Sequence, residues 1–292
     1  VNEVAVRLPS AIAAFFTCIG IVWFTLKYFN SFWMGFLSVL VLITTHGYIG
    51  IHASRTGDYD VPLTLFITIY TLSFFLFIER SEKKYLLLFF SALMLAALTK
   101  GVAGLLFLPA LFIYAMIRKQ ILRTIRAKEF YWGLIIFLVP VEGYYFLREV
   151  YNAGYMGTVW DNEIGGRYTQ SLEGHKHDFW YYYDRLLAYN FNKWYLLIPC
   201  GITIGFFYKN ETIKQFTLYI TILVVSYFLI ISCGQTKCEW YDVPLYPFLS
   251  LIAGIFLFWI FNLLKKSYLI FSSFRFNIIP FVFIFLIAID PY

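Results

Sequence analysis

The segment VPLTLFITIYTLSFFLFIE, residues 61–79, carries a single charged residue, Glu79, at its end. A helix of about 20 apolar residues is long enough to cross the hydrocarbon core of a bilayer. The whole chain has the same character, being 61% hydrophobic and 14% charged, whereas an average soluble domain is roughly 25% charged. With a mean hydropathy of +0.71, the composition excludes soluble, fibrous, disordered and disulfide-scaffold proteins. It predicts an all-α, polytopic membrane protein.

Ten apolar segments of this kind predict a bundle of about ten transmembrane helices within one domain, residues 1–292. The segments are 10–29, 32–51, 61–79, 85–99, 101–117, 130–148, 195–209, 215–233, 244–264 and 277–290. The fourth and fifth meet at Lys100-Gly101, which we interpret as a tight turn because one unbroken span there would be too long. The chain begins with Val1 rather than Met and ends soon after an apolar segment. We therefore expect it to be a fragment that lacks an N-terminal piece and a C-terminal piece.

The charges in the connections predict the orientation. Alternate connections contain 14 of the 23 basic residues and only 4 of the 17 acidic ones. Because cytoplasmic loops are enriched in Lys and Arg, this side is predicted to be cytoplasmic. The opposite side, which holds most of the acidic residues and all four histidines, is predicted to face the periplasm or exterior of a plasma membrane. The basic charge thus reflects membrane orientation, and no nucleic-acid partner is expected.

Five polar clusters lie in the predicted outer connections. They are residues 2–7, 52–60, 98–101, the long loop at about 151–193, and 234–244. Cations there can neutralise a phosphate, and a carboxylate can accept a proton from a nucleophilic hydroxyl. Together they favour an outward-facing site for an anionic, lipid-linked ligand.

Several of these residues also have a purely structural interpretation. A lone Arg7, Lys100 or Lys237 at a helix end is equally well explained as a snorkelling membrane anchor. The aromatic run 180–183 is typical of an amphipathic juxtamembrane helix in the membrane interface. These alternatives stay open at the level of sequence.

The carboxylates have structural alternatives as well. Asp58 and Asp60 precede a predicted helix and are suitable caps for it. Glu163 and Arg167 stand four residues apart, the spacing of an ion pair on one helix face. These readings compete with a role in binding.

A metal site is only weakly indicated. His175 and His177, beside Asp178, have a two-residue spacing without a defined third ligand. We assign no metal ligand and leave a divalent cation open. Cys233 and Cys238 bracket an outer connection where a disulfide is permitted, but the sequence does not decide whether they are bonded.

The order of the clusters resembles that of the GT-C glycosyltransferases, membrane enzymes that use polyprenyl-phosphate-linked sugars. Within that superfamily the chain is most similar to the aminoarabinose transferase acting on lipid A, and more distantly to the protein mannosyltransferases. The segments that carry the resemblance are 2–11 (NEVAVRLPSA), 53–60 (ASRTGDYD), 98–101 (LTKG), 162–182, and 237–247. No single motif is specific, but the five together cover nearly the whole chain.

The resemblance implies an inverting transfer of a sugar from a polyprenyl-phosphate donor to a lipid, glycan or protein acceptor at the outer face. Its implied phosphate ligands are Arg7, Lys100, Arg167, Lys176 and Lys237. The residues implied to contact sugar or acceptor are Arg55, Asp58, Glu163, His175, Tyr182 and Tyr241. Asp60 is implied as a supporting acid.

The resemblance also shows where this chain departs from the family. The family's presumed catalytic Asp lies in the first outer loop, which would precede Val1, so we expect the base to be missing from this sequence. Asp178 stands where relatives often have Pro. Neither the sugar nor the acceptor is decided, and a transporter or flippase of a lipid-linked or anionic substrate remains the alternative function.

Overall fold

The computed structural model describes residues 2–50, 52–166 and 175–270, and the described residues are almost entirely helical. The helices are α1 (Glu3–Phe29), α2 (Phe32–Ile43), α3 (His46–Ile49), α4 (Asp60–Arg80), α5 (Lys84–Lys100), α6 (Leu108–Ile117), α7 (Ile121–Arg126), α8 (Lys128–Tyr151), α9 (Tyr155–Val159), α10 (Tyr181–Arg185), α11 (Leu197–Phe207), α12 (Glu211–Cys233) and α13 (Tyr246–Ile270). Short 3₁₀ turns cover Gly101–Leu105 and Val243–Leu245, and π-helical turns cover Trp160–Gly166 and Leu186–Asn190. The predicted all-α class is confirmed.

Six of the helices within the described ranges are long and apolar enough to cross a membrane: α1, α4, α5 with its 3₁₀ turn, α8, α12 and α13. Three other apolar helices, α2, α6 and α11, have only 10 to 12 residues. Such a helix is at most about 18 Å long, whereas the hydrocarbon core is about 30 Å thick. The tenth predicted segment, 277–290, lies outside the described residues. The ten complete passes predicted from the sequence are therefore not established.

Helix ends follow from local capping chemistry. The side chains of Asn2, Ser31 and Asn210 accept backbone N–H bonds at the starts of α1, α2 and α12, which satisfies donors that have no partner within the helix. At the other end, α1 and α4 stop at Asn30 and Ser81, whose φ angles are 53° and 63°. A left-handed residue ends a helix because the next N–H can no longer continue the pattern.

Helix α4 occupies the centre of the bundle and is the most buried of the spanning helices. It packs against α1 and α5, while α13 packs against α2 and α11. The hydroxyls of Thr64, Thr68 and Thr71 donate to carbonyls four residues earlier in α4. These bonds satisfy polar groups that would otherwise be costly to bury among apolar side chains.

Small residues bring the helices close together. A Cβ added to Gly254 in α13 would lie 1.9 Å from the hydroxyl of Ser38 in α2, so only glycine permits this approach. Within a bilayer, close backbone packing is a main source of helix association, because lipid tails are as apolar as the side chains. Nearby, Tyr219 donates to the carbonyl of Thr71 at 2.6 Å and joins α12 to α4. The bundle is thereby held tightly beneath its polar end.

Helix α8 differs from the others because most of its surface is exposed in the structure. It packs chiefly against α5, where Gly133 approaches the ring of Phe90. Its exposed side chains include Trp132, Val139 and Phe146. Such an apolar surface is compatible with a lipid environment, because the backbone polar groups of a helix are satisfied within it.

Candidate functional site

A cavity of about 160 Å³ lies at the end of the bundle that the sequence predicts to be outer. The start of α4, the end of α5 and the end of α12 meet there with the connection between α12 and α13. The polar lining residues are Asp60, Lys100, Glu163, Tyr227, Thr236 and Tyr241. Leu63, Leu106 and Ile231 are among the apolar ones. Four residues singled out by sequence, Asp60, Lys100, Glu163 and Tyr241, thus line one cavity.

Lys100 and Asp60 form the charged centre of this cavity. The Lys100 ammonium lies 2.6 Å from Oδ1 of Asp60, and the side chains are 25% and 6% exposed. Asp60 begins α4 and Lys100 ends α5, so each charge lies at the helix end whose dipole stabilises it. The ammonium also lies 5.4 Å from the centre of the Tyr241 ring. A cation therefore sits at the cavity wall, balanced by one carboxylate.

Gly101 makes the turn that follows Lys100. Its φ is 50°, and a Cβ added there would lie 2.2 Å from Oε2 of Glu163. The same oxygen accepts a hydrogen bond from the backbone N–H of Val102 at 3.2 Å. The positive φ requires glycine here, and a side chain would also displace the Glu163 carboxylate. The turn brings the Glu163 carboxylate into the cavity beside Lys100.

Lys237 lies outside the set of cavity-lining residues. Its ammonium donates to the carbonyls of Gly234 at 2.6 Å and His177 at 3.1 Å, and its backbone N–H donates to the carbonyl of His175 at 2.9 Å. Burial lowers the pKa of this ammonium. In the structure Lys237 fastens two outer segments together instead of facing the cavity.

Tyr182 is also placed differently from the sequence-based expectation of a sugar contact. Its ring is fully buried, and its hydroxyl donates to the carbonyl of Cys238 at 3.1 Å. Burial raises the pKa of this phenol. The side chain therefore supports the loop beside the cavity from within the core.

The remaining predicted ligands lie at the surface or outside the described residues. Arg7 pairs with Glu3 at 2.5 Å, and Arg55 and Lys176 are exposed. Arg167 lies outside the described residues. None of the three described cations belongs to the cavity lining.

Asp58 and His175 are engaged in other contacts. Asp58 accepts hydrogen bonds from His52 and Thr56, which occupies one of its carboxylate oxygens. The carbonyl of His175 is bound by Lys237. The structure does not bring either residue to the cavity wall.

Three contributors to this region had no clear signal in the sequence. Tyr227 lines the cavity from within an apolar span, where an aromatic residue is ordinarily a core residue. Thr236 lies in a polar connection without a motif that marks it. The backbone N–H of Val102 contributes through the turn geometry, which side-chain patterns do not reveal.

Asp242 is a buried residue that follows the cavity-lining residue Tyr241 in the chain. It is 1% exposed, and its Oδ2 accepts hydrogen bonds from Asn190 at 2.8 Å and Tyr246 at 2.6 Å. Oδ1 is buried and has no hydrogen-bond partner among the described residues. Burial raises the pKa of this carboxyl to about 6. Asp242 thereby anchors the neighbouring Tyr241 to the start of α13 and to the turn Leu186–Asn190.

The described ranges contain no cluster of metal-ligand side chains and no disulfide. Within them, no group of three or more His, Cys, Asp and Glu side chains comes together. Cys233 and Cys238 are free thiols, as are Cys18 and Cys200.

Comparison with known proteins finds a family model and a relative that this chain resembles. Residues 1–145 match the family described as dolichyl-phosphate-mannose-protein mannosyltransferase. A protein of Aquifex aeolicus (strain VF5), described only as uncharacterized, is 28% identical over 267 residues, which cover 88% of this chain and 49% of the relative.

Solved structures show the same fold. ArnT from Cupriavidus metallidurans bound to undecaprenyl phosphate matches with a TM-score of 0.75 and 18% identity, over 99% of this chain and 55% of ArnT. The apo structure of ArnT matches with a TM-score of 0.71 and 17% identity, over 97% of this chain and 53% of ArnT. The chain thus spans about half the length of the proteins it matches. Residues 1–145 thus resemble the dolichyl-phosphate-mannose-protein mannosyltransferase family, and the fold of the chain is that of ArnT.

Proposed function

We propose that the protein is an integral membrane glycosyltransferase that moves a sugar from a polyprenyl phosphate to an acceptor at the outer face of the membrane. The observation that supports this most directly is the cavity with Lys100, Asp60, Glu163 and Tyr241 at its wall. It lies at helix ends, where a lipid-linked phosphate can reach it from the headgroup level of a bilayer. The fold is that of ArnT, which has been crystallised with undecaprenyl phosphate.

Lys100 is the proposed phosphate ligand. As the bond between the sugar and the phosphate oxygen breaks, negative charge grows on the phosphate, and a fixed ammonium in a partly dehydrated cavity stabilises it. Asp60 holds that ammonium in place through the 2.6 Å contact. When a phosphate arrives, the remaining donors of Lys100 can bind it without loss of the pair, because an ammonium has three N–H groups.

Glu163 and Tyr241 are the proposed sugar contacts. A carboxylate accepts hydrogen bonds from sugar hydroxyls, and a tyrosine ring offers an apolar face to the sugar ring. We propose a single displacement with inversion, in which the acceptor hydroxyl attacks the sugar directly. Because Asp60 is paired with Lys100, we assign it a supporting role and leave the general base to a carboxylate outside that pair.

A transporter or flippase is the competing proposal. Transporters place ionisable groups and broken helices near the bilayer midplane. Here Asp60 and Lys100 lie at the ends of α4 and α5, and Glu163 lies in the turn Trp160–Gly166, which favours chemistry at the interface.

The proposal is tested by transfer assays with the full-length protein in lipid nanodiscs. A panel of radiolabelled polyprenyl-phosphate sugars is offered with lipid A, surface glycan and peptide acceptors, and the Lys100→Gln protein is compared with the natural one. We expect transfer by the natural protein and a loss of at least about a hundredfold in Lys100→Gln. Lys214→Gln removes a partly exposed cation at the start of α12, the end away from the cavity, and is expected to leave transfer unchanged.

Absence of transfer from every donor would contradict the proposal. If the natural protein moved a fluorescent polyprenyl-phosphate sugar between leaflets of a vesicle without cleaving it, the transporter would replace the enzyme.

A further inference from the structure

His52 has an unusual backbone conformation beside the cavity. Its φ is 62°, in the left-handed region that residues other than glycine seldom adopt. Such a conformation costs free energy and persists only where surrounding contacts hold it. Specific contacts must therefore hold His52 in this conformation.

Two side-chain contacts hold His52. Its Nδ1 lies 2.7 Å from Oδ2 of Asp58, an oxygen that also accepts a hydrogen bond from Thr56 at 3.2 Å. Its ring packs on that of Trp240, with centroids 4.1 Å apart and planes inclined by 32°. The histidine is thus bound to its own loop on one edge and to the connection between α12 and α13 on its face.

The loop 52–59 is also fastened to α1. The hydroxyl of Ser10 donates to the carbonyl of Asp58 at 3.0 Å. A Cβ added to Gly57 would lie 2.6 Å from the carbonyl oxygen of Val6, so the loop packs closely on the helix. The His52–Trp240 contact therefore connects a loop anchored on α1 with the segment that follows α12.

Both connected segments carry cavity residues. Asp60 follows Asp58 by two positions, and Tyr241 follows Trp240 directly. We infer that His52 and Asp58 are positioning residues. Their contacts hold the loop 52–59 against Trp240, an arrangement we call the clasp, and thereby set the placement of Asp60 and Tyr241 around Lys100. This inference rests on the proposed function for its kinetic consequence, although the clasp itself does not.

An ordinary surface ion pair explains these observations less well. The His52 and Asp58 side chains are 45% and 34% exposed, and a pair of that exposure contributes little stability. That pair alone leaves the left-handed backbone and the contact with the Trp240 ring unexplained. A clasp between two cavity segments accounts for the hydrogen bond, the ring contact and the backbone conformation together.

The decisive variant is His52→Gly in the full-length protein. Glycine accepts the left-handed backbone without strain, so the substitution removes the imidazole while leaving the loop free to keep its path. Thr56→Val is the matched control, because it removes a neighbouring hydrogen bond to Asp58 and keeps both contacts of His52. Trp240→Phe keeps an aromatic ring at this position and tests whether a ring contact with His52 is sufficient for the clasp.

Two readouts separate the clasp from the proposed function. Spin labels on cysteines at the exposed positions Tyr59 and Gln235, in a background without the four native cysteines, report the distance between the two segments. Transfer kinetics report KM for the polyprenyl-phosphate sugar and kcat per folded molecule.

We expect a narrow distance distribution in the natural protein and in Thr56→Val, a broadened one in His52→Gly, and a distribution in Trp240→Phe that stays close to the narrow one. We also expect the KM of His52→Gly for the donor to rise about tenfold, because small displacements of positioned groups are costly. An unchanged distance distribution in His52→Gly would overturn the clasp. Broadened distances with an unchanged KM would overturn its role in positioning the cavity residues. Broadened distances in a protein that transfers no sugar would support the clasp and contradict the proposed function.

Discussion

The ammonium of Lys100 lies 2.6 Å from a carboxylate oxygen of Asp60, although 40 residues separate the two in the chain. The pair joins the end of α5 to the start of α4, so the cavity wall depends on how these two helices pack. Both helices continue into the hydrophobic core. The packing of the bundle therefore fixes the positions of the two charged groups.

The two charges are predicted to be strongly coupled. Lys100→Gln leaves a nearly buried carboxylate without its cation, and we expect the free energy of unfolding to fall by about 3 kcal/mol. Asp60→Asn together with Lys100→Gln removes both charges, so the double variant should be more stable than Lys100→Gln alone. Thermal unfolding in detergent measures the coupling. If the loss of unfolding free energy in the double variant equalled the sum of the losses in the two single variants, the two side chains would not interact.

Gly101 is predicted to tolerate no side chain. Gly101→Ala places a methyl group against Glu163 in a backbone with φ of 50°, so we expect a loss of stability of about 2 kcal/mol and at least tenfold lower transfer. Gly143→Ala is the control, because nothing lies within 4 Å of a Cβ at this position in α8. If both variants behaved alike, the close approach of Glu163 to the turn would be wrong.

The free energy of unfolding is predicted to depend on pH through the buried carboxyl of Asp242. Burial raises its pKa from 3.8 to about 6, so the folded protein holds this proton more tightly than the unfolded chain does. The resulting stabilisation is complete below pH 3.8 and is lost as the pH rises through 6. The difference corresponds to roughly 3 kcal/mol.

Unfolding measured between pH 4 and pH 7 checks this sign. The natural protein should lose stability over that range relative to Asp242→Asn, whose amide does not ionise. Asp184→Asn alters an exposed carboxylate and should follow the natural protein. Parallel curves for the natural protein and Asp242→Asn would contradict the assignment.

Two ion pairs at the predicted cytoplasmic end should differ in their contribution to stability. Glu79 is 6% exposed and accepts two hydrogen bonds from Arg118, at 2.9 and 3.0 Å, and a third from Tyr114 at 2.7 Å. Arg118→Met leaves this carboxylate without its cation, and we expect a loss of about 3 kcal/mol.

The pair between Lys214 and Glu211 is more exposed, at 36% and 70%. Lys214→Met should change stability by less than about 0.5 kcal/mol. Denaturant titration of the two variants gives the comparison, and equal effects would mean that burial does not determine the strength of these pairs.

The positions of the helices were largely predictable from the sequence. Nine of the ten apolar segments contain a helix in the structure, and the tenth lies outside the described residues. Hydrophobicity is a local property, so a run of apolar residues is visible without knowledge of its neighbours. The lengths were less predictable, because α2 and α11 end before their apolar segments do, and α6 begins later than its segment.

The site was predictable only in part. Polar residues at the outer helix ends were evident, since few charged residues interrupt the apolar segments. The sequence did not separate Lys100, which lines the cavity, from Lys237, which binds carbonyls of Gly234 and His177. Both are lysines at predicted helix ends, and their difference lies in the packing of distant segments.

The sequence by itself thus determined a helical membrane protein with its polar clusters gathered in alternate connections, because hydropathy and charge act over short stretches of chain. Only the tertiary structure decided which of those polar residues meet. Lys100 reaches Asp60 across 40 residues, and Glu163 reaches Val102 across 61. Such contacts depend on the rotation and register of packed helices, and one residue of register turns a side chain by about 100°.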